Sequence, residues 1–189
     1  MNKTNNIDMK KISARSIALI LIGAGIQIGF TYIMAAVFNI IPQDNEVMSD
    51  YNQAYDALTS MKPYMITYVC IVSPLLEEAV FRLGILGIGK RTIPIPIILI
   101  AQALLFGIYH GNVVQAVYGF VIGILFGIIY IYLGGYLAST ATHMSVNILG
   151  IYLVPYLPSF STPIMFAIGG IIVAVVIIAM VGMIRYREN

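Results

Sequence analysis

The sequence predicts an all-α integral membrane protein, a polytopic helix bundle with about six transmembrane helices. Hydrophobic residues make up 60% of the 189 residues and charged residues only 10%, and the mean hydropathy is +0.92. A soluble domain carries about 25% charged residues. The charged residues also concentrate in the termini and connecting segments. The net charge of +2 gives no indication of a nucleic-acid partner, and the single cysteine, Cys70, excludes an internal disulfide framework.

Six apolar stretches fit transmembrane helices of roughly 20 residues each. We expect these helices at residues 16–41, 64–89, 94–111, 113–133, 136–154 and 163–184. Seven of the eight prolines fall at or near the ends of these stretches, where proline disrupts a helix least. The exception is Pro74, which predicts a kink or freed backbone groups inside the second helix. We expect residues 1–189 to form a single transmembrane domain.

Several basic residues precede the first apolar stretch, as they precede the apolar region of a signal peptide. Its length is about twice that of a signal-peptide apolar region, and no small-residue cleavage site follows it. We therefore interpret it as a retained first transmembrane helix.

Charge distribution predicts that both termini are cytoplasmic in a multi-pass protein of the cell membrane. Basic residues lie before the first stretch, between the second and third, and after the sixth: Lys3, Lys10, Lys11, Arg15, Lys90, Arg91, Arg185 and Arg187. The segment 42–62 instead holds four acidic residues and one lysine. Spaced apolar residues in that segment fit either an amphipathic surface helix or a solvated loop.

The fourth stretch carries Gly119, Gly123 and Gly127 at steps of four. This spacing places the three glycines on one helix face, where a neighbouring backbone can approach closely. We expect close helix packing there.

Five charged or imidazole side chains lie inside apolar stretches, namely Glu77, Glu78, Arg82, His110 and His143. Inserting such groups into hydrocarbon costs free energy, roughly 2.5–3.5 kcal/mol for a charge at a helix centre on insertion scales. Because three separate stretches contribute them, we expect one assembled polar site. An acid pair, an arginine and two imidazoles suit proton transfer and water activation.

The two glutamates are expected to have different surroundings. Arg82 follows Glu78 by four residues and shares its helix face, so its guanidinium can hold Glu78 ionised. Glu77 points about 100° away, and both desolvation and the neighbouring carboxylate favour its protonation. Glu77 is therefore a candidate general base. A purely structural Glu–Arg pair would explain Glu78 and Arg82 and leave Glu77 without a role.

His143 and Asn147 lie four residues apart in the fifth stretch and face the same way. Taken alone they also fit interhelical hydrogen bonding, and His110 alone fits a group at a helix end. At about 1.5 Å per residue, His110 would lie roughly 28 Å from Arg91, too far to meet the others. We therefore expect the third helix to begin only after Pro96, which shortens that distance to about 20 Å.

Three motifs then appear in order, each in its own apolar stretch: Glu77-Glu78-x-x-x-Arg82, Phe106-x-x-x-His110 and His143-x-x-x-Asn147. In this respect the chain resembles the CPBP family, which comprises CAAX prenyl proteases and bacteriocin-processing enzymes and is also called the Abi family. The resemblance covers about residues 64–154, the motif-bearing core.

The resemblance implies an intramembrane endopeptidase that acts on membrane-associated or lipid-modified peptides and proteins in the bilayer. It implies that Glu77 and His110 activate a water and that His143 and Asn147 stabilise the oxyanion. Glu78 and Arg82 would support the site. An amide beside an imidazole suits an oxyanion hole, so we expect no cofactor. The alternative is a zinc site formed by Glu77, His110 and His143.

Two non-proteolytic functions remain as alternatives. Buried carboxylates and imidazoles also occur in ion-coupled carriers, although the sequence shows no internal repeat of the kind such carriers have. An immunity or scaffold protein could keep the fold and bind a partner without cleaving it. Serine and aspartyl intramembrane proteases fit poorly, because neither a Gly-x-Ser-x-Gly motif nor an aspartate within an apolar stretch is present.

Overall fold

The apolar stretches form a bundle of helices in a computed structural model that describes residues 3–42 and 44–188, with side chains for 14–42, 44–58 and 60–187. We number the helices α1 (Lys3–Phe38), α2 (Glu46–Thr59), α3 (63–89), α4 (Ile95–Tyr109), α5 (113–134), α6 (Gly135–Tyr152) and α7 (Thr162–Glu188). A 3₁₀ turn, Val154–Tyr156, follows α6. No strand occurs among the described residues, so the predicted all-α class is confirmed.

Six of these helices correspond to the predicted stretches, with shifted boundaries. Helix α1 extends to Lys3 and ends at Phe38, three residues before the predicted end. The segment 42–62 contains the helix α2, so the interpretation as a solvated loop was wrong there. Helix α4 begins at Ile95, so the expectation that it begins only after Pro96 was wrong. Pro94 precedes its first turn and Pro96 lies within it, where the missing N–H costs no helical hydrogen bond.

Within the described part of the chain, three continuous stretches are long and apolar enough to cross a membrane: Ala14–Phe38, Val113–Tyr152 and Thr162–Arg187. Val113–Tyr152 spans both α5 and α6, which meet at Gly134, the last residue of α5, and Gly135, the first of α6, with φ of 148° and 70°. These values favour glycine and turn the chain back on itself. Helix α4, at 15 residues, is about 22 Å long and shorter than a hydrocarbon core of about 30 Å.

Local sequence explains where the shorter elements begin. The Asn45 side chain caps α2 by accepting from the Met48 N–H at 2.9 Å. Asn112 caps α5 by accepting from the Gln115 N–H at 3.1 Å. Gly111, with φ of 70°, precedes this second cap and lets α4 turn tightly into α5. His110 is therefore held at the junction of two antiparallel helices.

Helix packing brings small residues to the contacts. A Cβ added to Gly119 would lie 3.3 Å from the α4 backbone, and one added to Gly123 would lie 3.1 Å from it. This is the close helix packing that the spacing of these glycines predicted. Helix α1 packs against α6 and α7. Hydroxyl groups support the contact with α6, because Ser145 donates to the Ile20 carbonyl at 2.9 Å and Thr142 donates to the Leu19 carbonyl at 3.3 Å. These bonds fix the helix that carries His143.

Candidate functional site

Helix α3 carries the two glutamates on a short α-helical segment, Ser73–Glu78, between two π-helical segments, Tyr68–Val72 and Ala79–Leu86. In the first π segment the Ser73 N–H bonds to the Tyr68 carbonyl, five residues back. The next donor in this pattern would be position 74, where proline has no N–H. The carbonyl of Val69 is thus freed, and the Asn147 side chain donates to it at 2.9 Å. The predicted effect of Pro74 is therefore a freed carbonyl that binds a motif residue.

Glu78 lies at the centre of a fully buried ion pair. Its Oε1 atom is 3.1 Å from an Arg82 guanidinium nitrogen, and both side chains are 0% exposed. The same oxygen is 2.9 Å from Nδ1 of His143. Because a carboxylate only accepts here, the imidazole donates from Nδ1, and its Nε2 points away from Glu78. The expected contact between Glu78 and Arg82 is present, and His143 joins it.

Two aromatic rings and one backbone carbonyl hold the Arg82 guanidinium. Its central carbon lies 4.3 Å from the centre of the Phe106 ring and 5.3 Å from that of Phe126. Planar stacking of this kind suits a guanidinium in low dielectric. Arg82 also donates to the Gly123 carbonyl at 3.4 Å. The cation therefore bridges α3, α4 and α5.

Gln102 is a buried polar residue that the sequence reasoning missed. Its side-chain amide donates to the Gly123 and Leu99 carbonyls, both at 3.0 Å, and it is 0% exposed. Gly123 therefore accepts from both Gln102 and Arg82. The signal was present, because Gln102 is the only amide or charged residue in the apolar helix α4.

Glu77 occupies a different environment from its neighbour. Its Oε1 accepts from the Ser73 hydroxyl at 2.5 Å, and its Oε2 lies 3.7 Å from Nε2 of His143. The side chain is 11% exposed, against 0% for Glu78. Ser73 was also missed by sequence reasoning, although its position four residues before Glu77 places it on the same helix face.

His110 reaches the site from the end of α4. Its Nδ1 is 2.8 Å from the Phe106 carbonyl oxygen. A carbonyl can only accept, so Nδ1 carries the proton and the Nε2 atom of the neutral ring is left as an acceptor. The ring packs edge-on against Phe106 and Tyr109. The structure thus places His110 at the edge of a cavity, with Nε2 as the ring nitrogen that does not bond to the Phe106 carbonyl.

A cavity of about 530 Å³ joins these residues. Its lining includes four of the six predicted site residues, Glu77, His110, His143 and Asn147. Glu78 and Arg82 are buried beneath its floor, where Phe106 and Phe126 both line the cavity and stack on the guanidinium. A volume of this size is typical of ligand sites.

Helix α2 covers the cavity with one apolar face. Tyr51, Ala54, Tyr55 and Leu58 all line it, and their spacing places them on a single side of the helix. The Tyr51 ring packs on Phe38 with ring centres 4.7 Å apart. Burial raises the pKa of the Tyr51 hydroxyl, and neighbouring Tyr55 adds to the increase.

The candidate metal ligands do not form a three-residue group. Among the described side chains, no set of three or more His, Cys, Asp or Glu residues is placed to hold a metal ion. One nitrogen of His143 is already bonded to Glu78. The arrangement instead combines a partly exposed carboxylate, two imidazoles and an amide around a cavity, which suits proton transfer to and from a bound water.

A comparison with protein families finds a match over residues 59–149 to the model described as "Type II CAAX prenyl endopeptidase Rce1-like". The matched region contains all three motifs identified from the sequence, and it confirms the predicted family resemblance. No curated protein and no solved structure matches the chain.

Proposed function

We propose that this chain hydrolyses peptide bonds in the membrane with a water activated by Glu77, since residues 59–149 match the model of Rce1-like type II CAAX prenyl endopeptidases. The observation that carries the proposal is the contrast between the two adjacent glutamates. Glu78 is neutralised by Arg82 and buried, whereas Glu77 faces a cavity that also contains two imidazoles and an amide. A carboxylate without a guanidinium partner, beside a space for substrate, is what a general base requires.

Glu77 and His110 hold the attacking water in this mechanism. The Glu77 carboxylate takes a proton from the water, and the free Nε2 acceptor of His110 orients it. The water oxygen attacks the carbonyl carbon of the scissile bond, the C–N bond breaks, and the proton passes to the leaving amine. Ser73 orients Glu77 through its hydroxyl.

His143 and Asn147 stabilise the negative charge that develops on the carbonyl oxygen. Glu78 accepts from Nδ1 of His143 and so fixes the ring, with Nε2 lying 3.7 Å from an oxygen of Glu77; in this mechanism an Nε2–H donates to the oxyanion. The Asn147 amide uses one N–H for the Val69 carbonyl and keeps the second for the oxyanion. Preorganised donors of this kind supply much of the rate enhancement in acyl-transfer enzymes.

The bundle is proposed to be a multi-pass protein with both termini in the cytoplasm. Three basic side chains from distant parts of the chain meet at one end of the bundle. Arg187 donates to the Tyr132 carbonyl at 2.5 Å, Lys90 lies 5.1 Å from the centre of the Tyr130 ring, and the Arg15 guanidinium lies against Gly134. We call this the basic end. Positive residues favour the cytoplasmic side; the side chains of Lys3, Lys10 and Lys11 lie outside the described part.

The proteolytic function is tested by comparing the membrane peptides of cells that produce the wild type with those of cells that produce Glu77→Gln. We expect cleavage products that depend on Glu77, with equal amounts of both proteins in the membrane. Asp50→Asn makes the same carboxylate-to-amide change at an exposed position and should behave like the wild type. Identical peptides from wild type and Glu77→Gln would favour a scaffold over a protease.

A further inference from the structure

The cavity occupies only the half of the bundle that is remote from the basic end. Besides α2, five helices contribute the parts that lie away from that end: 27–38 of α1, 69–77 of α3, 106–110 at the end of α4, 114–126 of α5 and 143–151 of α6. The basic end is instead marked by the start of α1, the end of α3 and the turn between α5 and α6. The cavity therefore extends from Glu77 towards α2.

The core of the other half, where α3, α4 and α5 meet, is filled. An apolar groove of about 420 Å³ lies in that half between α1 and α7, and none of its lining residues lines the cavity that contains Glu77. The side chains between the cavity floor and the basic end are fully buried, namely Arg82, Leu86, Gln102, Ile129 and Leu133. Interiors packed in this way contain few voids larger than a water molecule. A peptide thus has no route to Glu77 from the basic end.

Helix α2 defines the opposite end by its charge as well as its position. Its cavity-lining face carries Tyr51, Ala54, Tyr55 and Leu58, while Glu46 and Asp50 are exposed. This end thus combines acidic residues with the open half of the bundle. By the distribution of basic residues it faces away from the cytoplasm.

We infer that the scissile bond enters from the non-cytoplasmic side, so that the substrate is an exported or membrane-spanning peptide cleaved in the outer half of the bilayer. This inference rests on the proposed proteolytic function and deepens it by naming the substrate class. A prenylated tail at the cytoplasmic surface would meet the filled half and could not reach Glu77. The apolar face of α2 fits apolar or aromatic side chains next to the cleaved bond.

Cysteine labelling of the full chain tests the direction of access without requiring a substrate. In a Cys70→Ala background, Gln115→Cys places a thiol in the cavity, Asp50→Cys one on α2, and Arg91→Cys one beside the basic end. A membrane-impermeant maleimide should label the first two equally in intact and permeabilised cells, and Arg91→Cys only after permeabilisation. Asp50 is exposed, so its variant keeps the test informative if the cavity variant fails to fold.

Labelling of Gln115→Cys only after permeabilisation, or under neither condition, would overturn the inference.

In a second arm, new peptide termini that require Glu77 are mapped in cells producing the wild type or Glu77→Gln. We expect them at the non-cytoplasmic ends of membrane segments or in exported peptides, and cleavage at cytoplasmic ends or prenylated tails would overturn the inference. A complete lack of Glu77-dependent termini would contradict the proteolytic function instead, while labelling would still decide the direction of access.

Discussion

In the half of the bundle near the basic end, the core formed by α3, α4 and α5 is tightly packed, whereas the half beneath α2 contains a cavity of about 530 Å³. The two halves meet at neighbouring residues of α3. Glu78 faces the filled half and is paired with Arg82, while Glu77 faces the cavity. Adjacent and chemically similar carboxylates thus have different surroundings, and the difference suggests that the filled half supports the structure while the open half performs the chemistry.

Removal of the guanidinium from the filled half should have the largest effect on stability. Arg82→Met leaves the carboxylate of Glu78 buried without its cation, which costs about 3–5 kcal/mol. We expect a large loss of folded protein in thermal unfolding in detergent. The double variant Glu78→Gln/Arg82→Met, which removes both charges, should regain most of the stability. Equal instability of the single and double variants would show that the ion pair is not the cause.

Loss of the amide in the open half should impair turnover more than stability. Asn147→Ala removes a proposed oxyanion donor, and we expect kcat to fall by about 10²–10³ with a smaller change in KM. It also leaves the Val69 carbonyl unpaired, at a cost of about 1–3 kcal/mol.

These two effects of Asn147→Ala can be separated with a second substitution. Pro74→Ala restores a backbone N–H next to the freed Val69 carbonyl, so the double variant Pro74→Ala/Asn147→Ala should recover stability without turnover. Recovery of both would assign Asn147 a purely structural role.

The contact between α4 and α5 should tolerate little added volume. A Cβ on Gly107 would lie 2.4 Å from the Ala116 carbonyl oxygen, so Gly107→Ala must push the two backbones apart. We expect a loss of about 1–3 kcal/mol in unfolding free energy. Gly182→Ala is the matched control, because nothing lies within 4 Å of its Cβ position. Similar unfolding of the two variants would argue against the close contact.

Chelation should have the smallest effect. The described side chains provide no three-residue metal group, and the proposed mechanism uses only protein groups and water. We expect the purified enzyme to keep its activity after treatment with a chelator. Stoichiometric zinc, with activity lost on removal and restored on re-addition, would instead make Glu77, His110 and His143 ligands.

Much of the fold was predictable because it depends on local composition. Apolar stretches and the prolines between them predicted six of the helices, and motif spacing predicted the contact between Glu78 and Arg82. The π-helical turns were not predicted, because they depend on how the whole of α3 packs as well as on Pro74.

The parts of the site that depend on distant packing escaped prediction. The motifs did not indicate that Nδ1 of His143 would contact Glu78 across 65 residues of sequence, or that α2 would cover the cavity. Gly29 and Gly169 were also overlooked, although a Cβ on Gly169 would lie 2.8 Å from the Gly29 carbonyl oxygen. Two glycines in separate helices carry no joint signal in a single sequence.

The division of roles between the two glutamates is tested most directly by measuring turnover and thermal unfolding of purified Glu77→Gln and Glu78→Gln side by side. We predict that Glu77→Gln unfolds like the wild type and has no detectable turnover, because it lacks only the proposed general base. Glu78→Gln should unfold at a lower temperature, since it leaves Arg82 buried without its anion. Full activity in Glu77→Gln would contradict the central claim.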